Sequence, residues 1–170
     1  AALYTLTGVD LTQITGFGPY TVLRLIAECS DDMSKWPTEK HFTSWLSLSP
    51  GNKVSGGKVL SGKTGRTKNR ATTLLRIAAV NVGKTETALG AFYRRSAGRV
   101  GKAKAVTATA RKLAILFYSL MKHGTSYIEP GAEYYETQYR NRVVMNLKKR
   151  AKRLGYELVA KPEPHCAEVS

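Results

Sequence analysis

Residues 101–123, GKAKAVTATARKLAILFYSLMKH, set Val106, Ala110, Leu113, Phe117 and Leu120 at intervals of four, three, four and three. That rhythm returns to one side of a helix every two turns, so it predicts an amphipathic α-helix from Gly101 to about His123. Gly124 stops it. Lys104 and Arg111 lie seven apart, on a different face from the apolar stripe. Ala103, Ala105, Ala108 and Ala114 predict close approach by neighbouring helices.

The same pattern continues on both sides. Ala71, Leu74, Leu75, Ala78 and Val82 mark one face of a helix starting at Arg70, and a second helix covers about Glu86 to Arg99. Beyond Gly124, a last long helix is expected from Gly131 to Leu154, with Tyr135, Tyr139, Val143, Leu147, Ala151 and Leu154 facing inward. Lys148, Lys149, Arg150, Lys152 and Arg153 crowd its end, where cations suit the helix dipole. The fold class is therefore mainly α, with a bundle of long helices over about 70–155 and a flexible tail over 161–170.

Nearer the start, Leu11 to Ala27 reads as a short helix, a Gly16-Phe17-Gly18 turn, and an apolar helix opened by Pro19. This has the form of a helix-hairpin-helix module over about 10–28, in which Gly16 and Gly18 would let backbone N–H groups reach a phosphate. An αα-hairpin that merely packs is the structural alternative. Pro37-Thr38-Glu39-Lys40 begins another helix, capped by Thr38 or Ser34 and running through Phe42, Trp45 and Leu46. Trp36 and Trp45 are read as core. From about 49 to 70 follows a long Gly/Lys-rich loop or loose hairpin without an acid. A loop of that length inside a compact domain is usually functional or mobile.

Charge narrows the partners. The 170 residues carry 27 Lys and Arg against 12 Asp and Glu, a net +15. Residues 40–128 hold 17 of the basic residues and one acid, Glu86, for +16, so the remaining 10 basic and 11 acidic residues net −1. An acid-free block of that size argues for a polyanionic partner. At 42% apolar and with periodic blocks, the chain is not disordered. Leu113 to Met121 is too short for a membrane span, which needs roughly 20 apolar residues. Cys29 and Cys166 make neither a disulfide framework nor a zinc site, and a reducing, intracellular setting is the simpler reading. The chain begins Ala1-Ala2-Leu3 without Met, which suggests a fragment of a longer protein.

Most catalytic chemistries lack their residues. His41, His123 and His165 have no ligand-like spacing, Asp31-Asp32 reads as a helix cap, and no Gly-x-x-x-x-Gly-Lys-Ser/Thr loop is present. Ser55 remains, followed by Gly56, Gly57 and Lys58 among Lys53, Lys63, Arg66, Lys68 and Arg70. From composition alone, such a serine is a phosphate ligand, a plain linker or a nucleophile.

Taken in order, Gly16-Phe17-Gly18-Pro19, Phe42-Thr43-Ser44-Trp45-Leu46-Ser47-Leu48-Ser49-Pro50-Gly51-Asn52, Ser55-Gly56-Gly57-Lys58 and Asn69-Arg70 resemble one family. So do Leu75-Arg76-Ile77-Ala78-Ala79, Ala88 to Arg95, and Ala108 to Ala114. The likeness, over about residues 3–155, is to the C-terminal domain of the DEDD-type insertion-sequence transposases. These are related to the Piv DNA invertase and known as bridge-RNA-guided recombinases.

The resemblance implies a domain over 1–160 that supplies a serine attacking the DNA backbone. Ser55 matches that serine, Ser61 is the runner-up and Ser49 a distant third. It further implies phosphate or DNA contacts at Gly16, Gly18, Gly56, Gly57, Lys58, Lys63, Asn69, Arg70, Arg76, Arg94, Arg95, Lys104 and Arg111. The implied partners are double-stranded DNA, a structured guide RNA and further copies of the chain as a dimer or tetramer, with no membrane. The implied location is the prokaryotic cytoplasm, on the nucleoid. No cofactor is expected in this domain, and Mg2+ belongs to a separate acidic N-terminal domain that the chain does not show. Ser55 alone is then an unactivated hydroxyl, and these residues are expected to bind nucleic acid without recombining it.

Overall fold

A computed structural model of the chain describes residues 2–66, 69–124 and 127–161, the side chains of residues 2, 3, 6, 53 and 59 excepted. Residues 162–170 of the expected tail, His165 and Cys166 among them, and Lys68 lie outside the described residues. The architecture is mainly α. In chain order it comprises α1 (Ala2–Thr7), α2 (Pro19–Cys29), α3 (Glu39–Trp45), a hairpin of β1 (Lys53–Ser55) and β2 (Lys58–Ser61), then α4 (Arg70–Val82), α5 (Ala88–Val100), α6 (Lys102–His123) and α7 (Gly131–Arg153). The chain divides into two compact units, Ala1–Tyr135 and Glu136–Ser170.

In the first unit, α6 packs against α3, α4 and α5. Its expected stripe is buried: Ala110, Leu113, Phe117 and Leu120 are sealed and Val106 packs against them. Gly124 ends the helix in the left-handed region, and its N–H donates to Leu120 O at 2.9 Å. Ala105, Ala110 and Ala114 are fully enclosed, as close packing requires. Ala103 is exposed at the helix start.

The core is organised around aromatic rings. Phe42 of α3 lies 5.0 Å from Trp36, 6.1 Å from Trp45, 6.1 Å from Phe117 and 5.6 Å from Tyr118 between ring centroids. Phe17 adds an edge contact to Phe117 at 6.4 Å. Three polar groups at the margin of the core are paired. The Tyr118 hydroxyl donates to Trp36 O at 2.7 Å, Lys122 Nζ donates to Pro37 O at 2.8 Å, and buried Thr72 donates to Leu46 O at 2.7 Å. Trp36 is core as expected, whereas Trp45 keeps 42% of its surface exposed. Cys29 is a core residue too, and burial, then Glu28, pushes its thiol pKa up to about 12, away from reactive thiolate.

Helix starts follow local chemistry. Asn69 caps α4 by accepting from Ala71 N at 2.8 Å, and Thr87 caps α5 by accepting from Gly90 N at 3.1 Å. Asp32 caps a 3-10 turn at Met33–Lys35, and the hydrogen bonds of Ser34 hold its carboxyl below the usual range. Thr38 occupies the N-cap position of α3 without capping it; its hydroxyl pairs instead with His41 Nδ1 at 2.8 Å. A link not legible in the sequence is Glu129, whose carboxylate accepts from Ala88 N at 2.8 Å and from Gly131 N at 3.3 Å, serving the starts of α5 and α7 together.

Of the two readings of the segment from 49, loop or loose hairpin, the hairpin is the one found: Val54 pairs with Val59 and Ser55 with Lys58 across the Gly56-Gly57 turn, and Pro50 bridges Thr64 farther down. Two other expectations change. The first arm of the helix-hairpin-helix is a single 3-10 turn, Leu11–Gln13, capped by Asp10. The α7 stripe does not face inward, since no residue of α7 is buried and Val143, Leu147 and Leu154 stand exposed.

Removing the central ring should be costly. Phe42→Ala should lower unfolding free energy by about 3–5 kcal/mol, read from the urea midpoint. An unchanged midpoint would show that the ring cluster does not carry the fold. Gly16 sits at φ +92, and a Cβ there would fall 2.5 Å from Val82 Cγ2 and 3.3 Å from Ala78 O. Gly16→Ala should therefore destabilise by about 1–3 kcal/mol. A normal melting curve with weakened DNA affinity would instead make Gly16 a phosphate contact.

Candidate nucleic-acid interface

The β1–β2 turn is built by its two glycines. Gly56 (φ +54) and Gly57 (φ +75) both occupy the left-handed region, the geometry of a two-residue turn whose twist matches the flanking strands. A Cβ at either would meet nothing within 4 Å. Backbone conformation, not crowding, selects glycine here, and the space outside the turn is open.

Ser55 and Lys58 flank this turn as a directly paired couple, so their side chains leave the same face with Cβ atoms about 5 Å apart. Both are exposed, and the Ser55 hydroxyl has no hydrogen-bond partner among the described residues. The other two serines differ. Ser49 Oγ is bonded to Thr43 Oγ1 at 2.9 Å, and Ser61 Oγ, half-buried, accepts from Lys63 N at 3.4 Å.

At the hairpin base lies a groove of about 910 Å³ between residues 48–64 and one side of α6, with Phe92 of α5 on its wall. Lys63 enters from the hairpin, and Lys104, Arg111 and Lys112 enter from α6, while among the described residues no carboxylate lines it. Lys104 and Arg111 are two helical turns apart, about 10 Å along the axis. Arg111 Nε is closed off from solvent and has no hydrogen-bond partner. The first turn of α6 has no acid and no side-chain cap, so its free N–H groups add positive potential beside Lys104. Lys112 also covers the Phe92 ring at 4.8 Å, and Tyr135 meets that ring edge-on at 6.2 Å.

The structure thus gathers Lys63, Lys104 and Arg111 into one groove, and Ser55, Gly56, Gly57 and Lys58 at one turn. Other expected contacts have internal duties. Asn69 is spent on its cap. Arg94 donates to Thr85 O at 2.7 Å and Gly83 O at 3.3 Å and pairs with Glu86 at 3.2 Å, tying down the α4–α5 connection. Exposed Arg70 faces Glu28 at 3.7 Å, a weak surface pair. Gly16 packs on α4, whereas Gly18, the N-cap of α2, is exposed with open space above it. Arg76 and Arg95 are half-buried, and Arg76 Nε is enclosed without a hydrogen-bond partner.

Lys112 and Phe92 were missed as site residues. Lys112 adjoins Arg111, but the seven-residue spacing from Lys104 marks Arg111 and not its neighbour. Among the described residues, no three His, Cys, Asp or Glu side chains group as a metal site. No helix among them is long and apolar enough to cross a membrane.

No curated protein and no solved structure matches the chain. The profile described as the transposase IS116/IS110/IS902 family does match, over residues 10–94. That segment is half of the chain and contains α2, α3, the hairpin, α4 and the first half of α5. A cationic groove and an open glycine turn suit a protein that handles DNA phosphates, and the chain belongs to the IS116/IS110/IS902 family of transposases.

Proposed function

We propose that Ser55 is the nucleophile of this transposase and attacks a DNA phosphodiester. What carries the reading is the contrast between three serines: Ser49 and Ser61 hold hydrogen bonds, while Ser55 stands unengaged at the tip of a hairpin. The bond from Ser55 Oγ to phosphorus forms as the bond from phosphorus to the leaving sugar oxygen breaks. The serine proton passes to a carboxylate, and the sugar oxygen gains a proton.

Lys58 opposite Ser55 would offset charge on the phosphate oxygens, and the glycine turn would let the DNA backbone come close. No carboxylate cluster is present among the described residues to act as base or to hold Mg2+. In this reading those acids come from a separate domain, carried by another protomer of the intact protein in a dimer or tetramer. A structured guide RNA pairing with the DNA would then select the sites.

Ser55→Ala in the active assembly should abolish strand exchange and any peptide–nucleotide adduct, yet leave DNA affinity within about twofold. Were Ser55 only a phosphate ligand, affinity and activity would fall together, by roughly the 1 kcal/mol of one hydrogen bond. Lys58→Ala should weaken binding to unrelated sequences alike and reduce the slope of log K against log salt by about 1. Selective loss at one base pair would make Lys58 a base reader instead.

A further inference from the structure

We propose that the groove between the hairpin base and α6 seats a single strand of DNA, separately from any duplex that the chain binds. A space of about 910 Å³ lies in the range of pockets that enclose one ligand-sized group, far below the bulk of a duplex. Its surface has two characters. Leu48, Pro50 and Ile115 give an apolar floor, while Lys63, Lys104 and Arg111 bring positive charge from both walls. A stacked duplex offers phosphates but hides its base faces. An unpaired strand offers both, and so fits a floor and rim of this kind.

Arg111 supplies a second observation. Arg111 is half-buried where it lines the groove, so its guanidinium is partly stripped of water and a phosphate seated there would offset that loss. Lys104, two turns away on the same helix, stands where a neighbouring phosphate would pass. The choice of DNA over RNA follows from the transposase family. The inference rests on the groove and on the transposase family, and does not require Ser55 to be a nucleophile.

The test titrates the chain with oligonucleotides of about 12 nucleotides carrying one 2-aminopurine, as single-stranded DNA, as the same DNA in duplex form, and as single-stranded RNA. Single-stranded DNA should bind with a rise in 2-aminopurine emission, because the base leaves its stack for an aliphatic floor. Arg111→Ala and Lys104→Ala should each weaken that binding about tenfold while changing duplex affinity less than about twofold. Lys63→Ala, on the hairpin and outside α6, should act the same way and guards against a helix defect. Ser55→Ala should bind the strand normally, which separates failure of the groove from failure of the nucleophile. Equal losses for single strand and duplex would overturn the proposal in favour of a duplex-backbone contact. Tighter binding of RNA, or no loss in any groove variant, would overturn it as well.

Discussion

The contact between Phe42 and Phe117 is the constraint on which the first unit depends. Phe117 lies on the buried face of α6, Phe42 on α3, and Phe17 and Trp36 reach the same cluster from the N-terminal segment. Three separate pieces of sequence are thereby fixed to one helix. Each ring buries far more apolar surface than the small residues around it, so the cluster supplies a large share of the hydrophobic gain. Buried alanines then let α4 and α5 close on α6 at short range.

That arrangement commits one face of α6 to the core and frees another for charge. Lys104 and Arg111 can stand in a common groove because the stripe from Ala110 to Leu120 fixes how the helix is turned. The crowding of like charge works against the fold, since folding holds cations near one another without acids between them. Arg94 and Arg70 are partly compensated by Glu86 and Glu28, but the lining of the groove has no such acid. A bound polyanion relieves this repulsion only in the folded state, so binding and stability are coupled.

The parts of the fold that were legible are those in which a periodic pattern met a packed partner. The stripe of α6, its glycine stop and the apolar face of α4 fall in this group. The stripe of α7 has the same kind of spacing, yet Val143 and Leu147 stay exposed, because periodicity reports which face is apolar and not whether anything covers it. The hairpin was half legible. Gly56-Gly57 between Val54 and Val59 is a turn signal, but the surrounding Gly, Ser and Lys looked equally like a loop. Among site residues, Asn69, Arg94 and Gly16 have structural roles beside their expected phosphate contacts, set by groups brought near by folding, and no local pattern announces a carbonyl oxygen or a close helix. The groove was invisible for a related reason: Lys63 and Lys104 are far apart in the chain and meet only once the hairpin base lies beside α6.

The hairpin gives the two halves of the candidate interface a fixed relation. Lys63 at its base and Lys58 at its tip are five residues apart, about 16 Å along an extended strand. A DNA strand advances about 3.4 Å per nucleotide when stacked, so that distance corresponds to roughly five nucleotides. A strand held by its phosphates in the groove would therefore lie within reach of the turn a few nucleotides farther on, without crossing any acidic surface on the hairpin. The short length of the two-residue turn matters to this relation. It leaves the tip little internal freedom, so the position of Ser55 follows from the strand pairing beneath it and not from the wandering of a loop. Placing a small hydroxyl by backbone geometry, and leaving charge to lysines and arginines around it, suits a reaction whose main demands are alignment and the stabilisation of anionic oxygens.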